Sequence, residues 1–443
     1  MPEDRVIAIP SPSLVLMVGP SGSGKSTLCA RHFQPTQIVS SDACRALLAD
    51  DPKDQRVTPA AFNLAHAILD ERLRQRRLTV LDATNLEATA RREALRIAVR
   101  HHLPAVAIVL DLPPAACLRH DAGRPGRRVG RAVIARHAAA LRATLPRLAR
   151  EGFHGVHHVR GAAEAAALRV RTVPLPCDRA SERGPFDVIG DVHGCERELV
   201  LLLQGLGYGR RSARGPFRHP EGRKAVFIGD LVDRGPGVVQ AACLAMDMVE
   251  EGAALCVPGN HDDDLARTLE GGGPDPGPGT EMSLRQINAA PAALRSAFRR
   301  RFVAFVDSLP SHLLLDGERL AVAHAGLREE YVGRESADVR RFAMRGETTG
   351  RLDRFGLPVR VNWAAAYDGS PFVVYGHTPV RRPESIRNTL NIDTGCVYGG
   401  ALTGLRYPER KIVSVPAARV YYQSPRLTPT GVGLRADTRT TLP

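Results

Sequence analysis

Four short, mostly apolar runs in this chain each end in Gly beside a residue able to hold phosphate or metal. That repetition constrains the architecture more than any other feature. SLVLMVG (13–19) leads into GPSGSGKST (19–27), FDVIGD (186–191) into GDVHG (190–194), AVFIGD (225–230) into GDLVDRG (229–235), and ALCVPGN (254–260) into GNHD (259–262). Strand-sized runs rich in Val, Ile and Leu with little alternation are buried on both faces, as in a parallel sheet covered by helices. Ligands in such sheets collect at the carboxyl ends of the strands. The motifs fall in two groups separated by TVPLPCDRASERGP (172–185), which is proline-rich and aperiodic and reads as a linker. With 443 residues the chain can bury two cores. The predicted layout is one α/β unit over 1–171, the linker 172–185, a second α/β unit over 186–425, and a frayed polar tail over 426–443.

In the first unit, strands at 13–19, 37–40, 78–83 and 105–111 alternate with helical stretches at 25–32, 59–76, 86–100 and 129–150. GPSGSGKS matches the G-x-x-x-x-G-K-[ST] loop that binds ATP. Gly19, Gly22 and Gly24 allow backbone N–H groups to close around phosphate oxygens, and the next helix adds a partial positive charge through its N-terminus. Lys25 would bridge the β- and γ-phosphates, Ser26 would ligate Mg²⁺, and Thr27 completes the motif. SSDACR (40–45) places Asp42 just past the second strand, where a carboxylate can take the proton of an attacking hydroxyl. Arg45 could hold the phosphate beside that hydroxyl. The plainer reading of Asp42 is a helix N-cap. Asp82, at the end of the third strand, could support Mg²⁺ through water. The arginine-rich segment 119–131 reads as a lid whose arginines, Arg124, Arg127 or Arg128, stabilise a transferring phosphoryl group. A solvated basic loop is the alternative there.

The second unit supplies the parts of a two-cation phosphoryl site in order. Asp191, His193 and Asp230 are assigned to a first metal, with Asp230 bridging. Asn260, His324 in VAHAGL and His377 in YGHTP complete a second. Two cations lower the pKa of water between them. His261 can protonate a leaving alkoxide, oriented by Asp233, and Arg234 can grip phosphate oxygens bidentately. Mixed imidazole and oxygen donors suit Mn²⁺, Ni²⁺, Fe or Zn²⁺, with Mn²⁺ or Ni²⁺ preferred here.

Bulk properties narrow the partners. The formal charge is +14, which attracts phosphate backbones. Only four lysines (Lys25, Lys53, Lys224, Lys411) contribute, so the excess is nearly all Arg and also fits a compositional bias. Eight scattered cysteines without a Cys-x-x-Cys pair argue for a reducing cytoplasm and against a disulfide scaffold. No run approaches the ~18 apolar residues of a membrane span, and the N-terminus lacks a signal pattern. Aromatic residues are sparse, with Trp363 the only tryptophan, so no single-strand stacking platform is visible. A homo-oligomer is left open.

A P-loop followed by GDxHG, GDxxDRG and GNHD blocks resembles the bacterial polynucleotide kinase–phosphatases of RNA repair. The likeness spans about 10–415 and includes SSDACR, LDATN (81–85), RVNWAAAYDG (360–369), VVYGHTP (373–379) and NIDTGCVYGGALTGLRYP (391–408). It implies a P-loop kinase domain with a parallel sheet, then an α/β binuclear metallophosphoesterase domain of the calcineurin-like kind. It implies ATP-dependent phosphorylation of 5′-OH ends at Lys25, Ser26, Asp42 and Arg45. It also implies removal of 3′-phosphate or 2′,3′-cyclic phosphate at Asp191, His193, Asp230, Arg234, Asn260, His261, His324 and His377, and it extends the site to Asp393. The substrate would be nucleic acid, RNA before DNA. Such proteins typically continue into a ligase-like domain with a K-x-D-G lysine. None of the four lysines has that context, so a separate ligase is expected in trans. The competing expectation is a protein Ser/Thr phosphatase or dinucleoside polyphosphatase fused to a small-molecule kinase.

Overall fold

The computed structural model describes residues 5–123, 128–210, 215–273 and 275–423. The lid candidates Arg124 and Arg127 and the tail 426–443 lie outside them. The chain divides into two compact units, Met1–Leu175 with Arg334–Ser336, and Pro176–Gly333 with Ala337–Pro443.

The first unit is built on a five-stranded sheet in the order Ile38–Ser40, Thr79–Asp82, Leu14–Val18, Ala105–Asp111, Gly155–Arg160. Every neighbouring pair is parallel. Leu14–Val18 is buried at all five positions, as a central strand between helix layers requires. On one face Val15, Met17, Val80 and Ile108 pack with Leu28, Cys117 and Ile134 of the covering helices. The P-loop leaves this central strand and enters the helix Lys25–His32. A separate parallel pair joins Val6–Ser11 to Arg169–Pro174.

The second unit contains two sheets. One runs Ala254–Cys256, Lys224–Phe227, Phe186–Ile189, Ala401–Tyr407, Lys411–Pro416. The other runs Glu384–Ile386, Thr389–Asn391, Phe372–Tyr375, Leu320–Val322, Leu313–Leu315, Asp178–Arg179. Alternate residues of both sheets form one shared core: Val188 and Val226 from the first meet Leu313, Leu315, Val322, Val374 and Leu390 from the second. The intervening residues face helices instead. Ala225 and Phe227 pack with the helices Glu196–Gly205 and Val238–Glu250, while Val373 and Tyr375 pack with Phe342 and Trp363. Each large aliphatic or aromatic side chain so enclosed contributes roughly 1.5–3 kcal/mol. Both faces of central strands such as Phe186–Ile189 and Phe372–Tyr375 are therefore buried, which explains why those runs read as apolar throughout.

Parts of the span 172–185 are paired within their own units. Its first residues close the strand Arg169–Pro174 against Val6–Ser11, and Asp178–Arg179 pairs with Leu314 and Leu315. Both partners are more than a hundred residues away in sequence, so local periodicity carries no trace of them. The break between units falls within the span, at Leu175 and Pro176.

Candidate active sites

Six parallel strand ends converge in the second unit. Asp191 and His193 follow Phe186–Ile189, Asp230 follows Lys224–Phe227, and Asn260 follows Ala254–Cys256. His324 follows Leu320–Val322, His377 follows Phe372–Tyr375, and Asp393 follows Thr389–Asn391. Three come from each sheet, and all run parallel within their sheet.

Asp230 sits at the centre. Its Oδ2 lies 3.3 Å from His193 Nε2, and its Oδ1 lies 3.4 Å from His324 Nε2. The His261 backbone N–H donates to Oδ1 at 3.0 Å. Two groupings share this carboxylate, His193–Asp230–His261 and Asp230–His324–His377, each with ligand atoms within 4.8 Å of one another. His324 Nε2 also lies 3.2 Å from Asn260 Oδ1 and 3.0 Å from His377 Nδ1. Asp191 accepts from the His377 backbone N–H at 3.1 Å, which ties the two sheets together at their ligand ends.

Ring orientations are set by backbone carbonyls. His193 Nδ1 bonds to the Val232 carbonyl and His324 Nδ1 to the Ile228 carbonyl, both at 2.9 Å. A carbonyl only accepts, so the proton is on Nδ1 and the Nε2 lone pair faces inward. Burial, foremost, pushes the pKa of His193, His324 and His377 down, which keeps these imidazoles neutral.

The carboxylates show the opposite stress. Burial, then Asp393 and Asp230, raises Asp191 well above the usual range. Asp393 is pushed up to about 7, chiefly by burial. Burial also acts to raise Asp230, but Coulombic attraction to the protonated forms of His324, His261, His193 and His377 outweighs it and holds that carboxyl low. Neutral imidazoles and crowded buried carboxylates are the donor set a divalent pair requires. Space is reserved for them as well. A Cβ on Gly259 would fall 2.1 Å from Asp230 Oδ1, and one on Gly376 2.1 Å from Asp191 Oδ1. Buried His377 Nε2 has no hydrogen-bond partner. The residues therefore fit a binuclear centre.

Backbone strain concentrates here. His193 (φ 43°), Asp230 (50°), Asp233 (73°), Arg234 (69°) and His377 (69°) all lie in the left-handed region, which disfavours side chains. Such strain costs of order 1–3 kcal/mol per residue and clusters where geometry serves a function.

Around the ligands, Arg234 donates to His193 Nε2 and His261 Nε2, each at 2.7 Å. His261 Nδ1 lies 2.7 Å from Asp233 Oδ2. Three supporting groups escaped the sequence reading. Asp233, fully buried, accepts from Thr280 Oγ1 at 2.8 Å and Ser283 Oγ at 2.6 Å, both on the helix Pro278–Ala289. Asp262 accepts from the backbone N–H groups of Leu231 (2.9 Å) and Gly259 (3.0 Å), locking the Asp230 and Asn260 loops to each other. Its signals were its place as the last residue of GNHD and its position three residues past the helix cap. The rings of Tyr398 and Tyr422 lie 5.5 and 5.9 Å from the Arg234 guanidinium carbon.

In the first unit, a cavity of about 1300 Å³ is lined by Gly22, Gly24, Lys25, Ser26, Thr27, Asp42, Arg45, Asp82 and Arg128. Gly19, Gly22 and Gly24 all take positive φ. At Gly22 a Cβ would meet the Cys117 carbonyl at 2.4 Å, so only glycine fits this turn. Lys25 Nζ donates to the carbonyls of Gly19 (2.9 Å) and Pro20 (2.7 Å), at the mouth of its own loop. Asp42 is not the helix cap: Ser40 fills that role, its Oγ accepting from Ala43 N at 3.4 Å, and Asp42 stands in the first turn. Arg45 reaches Asp42 Oδ1 and the Pro52 carbonyl, the latter at 2.9 Å. Two histidines that no motif marks brace the loop. His120 Nδ1 lies 2.9 Å from the Gly22 carbonyl, and the Ser21 N–H donates to His137 Nδ1 at 3.4 Å. Asp121 accepts from the Val129 and Gly130 N–H groups at 3.0 and 3.1 Å.

A helix-flanked parallel sheet with a P-loop, followed by a double sheet gathering Asp, Asn and His ligands at one edge, defines a nucleotide-binding unit joined to a two-metal phosphoesterase. The chain belongs to the calcineurin-like phosphoesterase family, whose model matches residues 184–402, and residues 14–148 match the model of an AAA domain. Calcineurin-like phosphoesterases use a binuclear divalent metal centre. Among relatives, the asymmetrical bis(5′-nucleosyl)-tetraphosphatase PrpE of Geobacillus sp. (strain WCH70) is 44% identical over 236 residues, covering 53% of this chain and 96% of that protein. The protein of the same name from Anoxybacillus flavithermus (strain DSM 21510 / WK1) is 42% identical, with the same coverage. A solved structure of the Pnkp1/Rnl/Hen1 RNA repair complex aligns with 32% of this chain and 47% of that one, at 21% identity and a TM-score of 0.29. No helix among the described residues is long and apolar enough to cross a membrane.

Proposed function

We propose that the chain heals nucleic-acid ends, transferring the γ-phosphate of ATP to a 5′-OH at the P-loop site and removing a 3′-phosphate or 2′,3′-cyclic phosphate at the metal site. The observation that carries this reading is the P-loop cavity. Small-molecule pockets enclose about 300–1,000 Å³, and this one encloses about 1300 Å³, with Asp42 and Arg45 on the same wall system as Lys25 and Ser26. It has room for a nucleotide and for a second, larger substrate whose hydroxyl meets a carboxylate base. An enzyme that only hydrolysed phosphate esters would need neither.

At the metal site a bound cation pair would supply Lewis-acid activation of water and of the phosphoryl group. Asp191, His193 and Asp230 would hold one, and Asp230, Asn260, His324 and His377 the other. Arg234 neutralises the phosphoryl oxygens, with the Tyr398 ring beside its guanidinium. His261, which carries its resting proton on Nδ1, would take a second proton from solvent on Nε2 and pass it to the departing ribose oxygen, returning to the neutral Nδ1–H form; Asp233 stabilises the intervening imidazolium. At the kinase site Asp42 takes the proton from the 5′-hydroxyl, while Lys25 and an arginine of the 119–131 segment, Arg128 among them, offset charge on the transferring group. The products, a 5′-phosphate and a 3′-OH, suit a separate ligase.

A second reading draws on the 44% identity to tetraphosphatases, which favours a dinucleoside polyphosphate at the metal site. One experiment separates them. An oligonucleotide with 5′-OH and 2′,3′-cyclic phosphate ends, as RNA and as DNA, is incubated with ATP and Mn²⁺ against competing diadenosine tetraphosphate. End-healing predicts both end changes and a preference for the oligonucleotide. Lys25→Ala should abolish only the 5′ reaction and Asp230→Ala only the 3′ reaction. Equal or faster turnover of the dinucleotide overturns the first reading.

A further inference from the structure

A second cavity, of about 260 Å³, is lined by Arg234 and His261, by Asp264 and Thr268, and by Pro278 and Tyr422. Arg234 and His261 tie it to the metal site, since Arg234 donates to His193 Nε2 and the His261 N–H donates to Asp230. His261 lines it, and with His261 as the proton donor proposed above, the cavity borders the leaving group's side of the reaction. Its size is just below the ~300 Å³ at which drug-sized ligands are enclosed. It therefore takes one nucleoside-sized group rather than a length of strand or a peptide.

Phosphoryl chemistry alone needs cations and donors, not an aromatic wall. Tyr398 and Tyr422 are placed differently on Arg234, at 5.5 and 5.9 Å, with their own rings 6.4 Å apart and inclined by 67°. Tyr398 does not border the cavity, whereas Tyr422 does. One tyrosine is enough to brace the guanidinium, and the second presents a ring to whatever occupies the cavity.

We propose that this cavity is the nucleoside subsite of the phosphoesterase, with Tyr422 stacking on the base of the departing nucleotide and the Asp264–Thr268 side facing its ribose. The proposal rests on the site acting on nucleotides, and it holds for either substrate reading, since an oligonucleotide end and a dinucleoside polyphosphate both leave a nucleoside-bearing group. Base-on-aromatic stacking tolerates every base, so the subsite accepts ends without regard to sequence.

The test uses the full chain with Mn²⁺ and three substrates: a 3′-phosphorylated oligoribonucleotide, the same strand with an abasic terminal nucleotide, and glycerol 2-phosphate. In Tyr422→Ala, the kcat/KM advantage of the base-bearing end over the other two should shrink by about 5- to 150-fold, the span of one lost stack, through KM rather than kcat. Tyr422→Phe should restore it. An equal loss on all three substrates would reduce Tyr422 to a brace for Arg234, and an unaltered advantage would place the base elsewhere; either overturns the proposal. Should the wild type prefer diadenosine tetraphosphate to the oligonucleotide, end-healing fails, and the subsite is judged by the same ratio with that dinucleotide as the base-bearing substrate.

Discussion

Replacing Asp233 by Asn isolates the contribution of proton donation by His261. The Asp233 carboxylate takes three side-chain bonds, from Ser283 Oγ at 2.6 Å, Thr280 Oγ1 at 2.8 Å and His261 Nδ1 at 2.7 Å. A carboxylate only accepts, so His261 carries its proton on Nδ1, and Arg234, which only donates, meets a bare Nε2. Protonation at Nε2 then creates an imidazolium facing a buried anion. Asn keeps the shape but removes the charge and one acceptor, leaving an amide N–H₂ to face either a hydroxyl or Nδ1. A hydrogen bond to a charged group contributes about 1.5–3 kcal/mol, which converts to about 10- to 160-fold in rate at ~1.36 kcal/mol per factor of ten. General acid catalysis as a whole contributes about 10²–10⁴-fold. The kcat of Asp233→Asn on a 3′-phosphate end should accordingly fall by about 10- to 10³-fold. On p-nitrophenyl phosphate, whose phenolate departs without a proton, the loss should stay under about fivefold. Both rates are measured on one Mn²⁺-loaded preparation, with metal content and melting temperature checked against the wild type. Equal losses on the two substrates, at unaltered metal content, would refute the assignment of His261 as the proton donor.

Two further outcomes are expected from the same geometry. Gly376→Ala places a Cβ 2.1 Å from Asp191 Oδ1 and 2.6 Å from Ile228 Cδ1. It should weaken Mn²⁺ binding, measured by calorimetry, and leave ATP binding at the P-loop intact; unaltered metal affinity would contradict the close approach. The metal-stripped protein should lose stability with rising pH. Asp191 is raised, and Asp262 and Asp393 sit at about 7, burial being the leading cause in each. A carboxyl raised above its unfolded value of ~3.9 holds more protons folded than unfolded, so its stabilising effect is full below about pH 4 and is lost as pH climbs through about 7. Asp230, held low, acts in the opposite sense only in acid. Melting temperature should therefore drop between pH 5 and pH 7.5, and Mn²⁺ should raise it more at pH 7.5; a flat profile without metal would contradict this.

Local sequence was sufficient wherever a chemical group sits immediately after a buried strand. Gly19 to Thr27, Asp191, His193, Asp230, Asn260, His324 and His377 each follow an apolar run by one to a few residues, and a strand buried on both faces announces itself without reference to the rest of the chain. The same logic placed Asp42 beyond the strand Ile38–Ser40, although only the Ser40 cap showed that Asp42 itself is not spent on capping. What tertiary structure alone decided is the company these groups keep. Thr280 and Ser283 reach Asp233 from a helix some fifty residues on, Tyr398 and Tyr422 reach Arg234 from the far end of the chain, and His120 and His137 reach the P-loop from helices with no motif. The strands hidden in 172–185 found partners equally distant. Hydrogen bonds and ring contacts across such separations leave no period in the sequence, because they depend on where the folded strands and helices bring the chain, and not on which residues are neighbours along it.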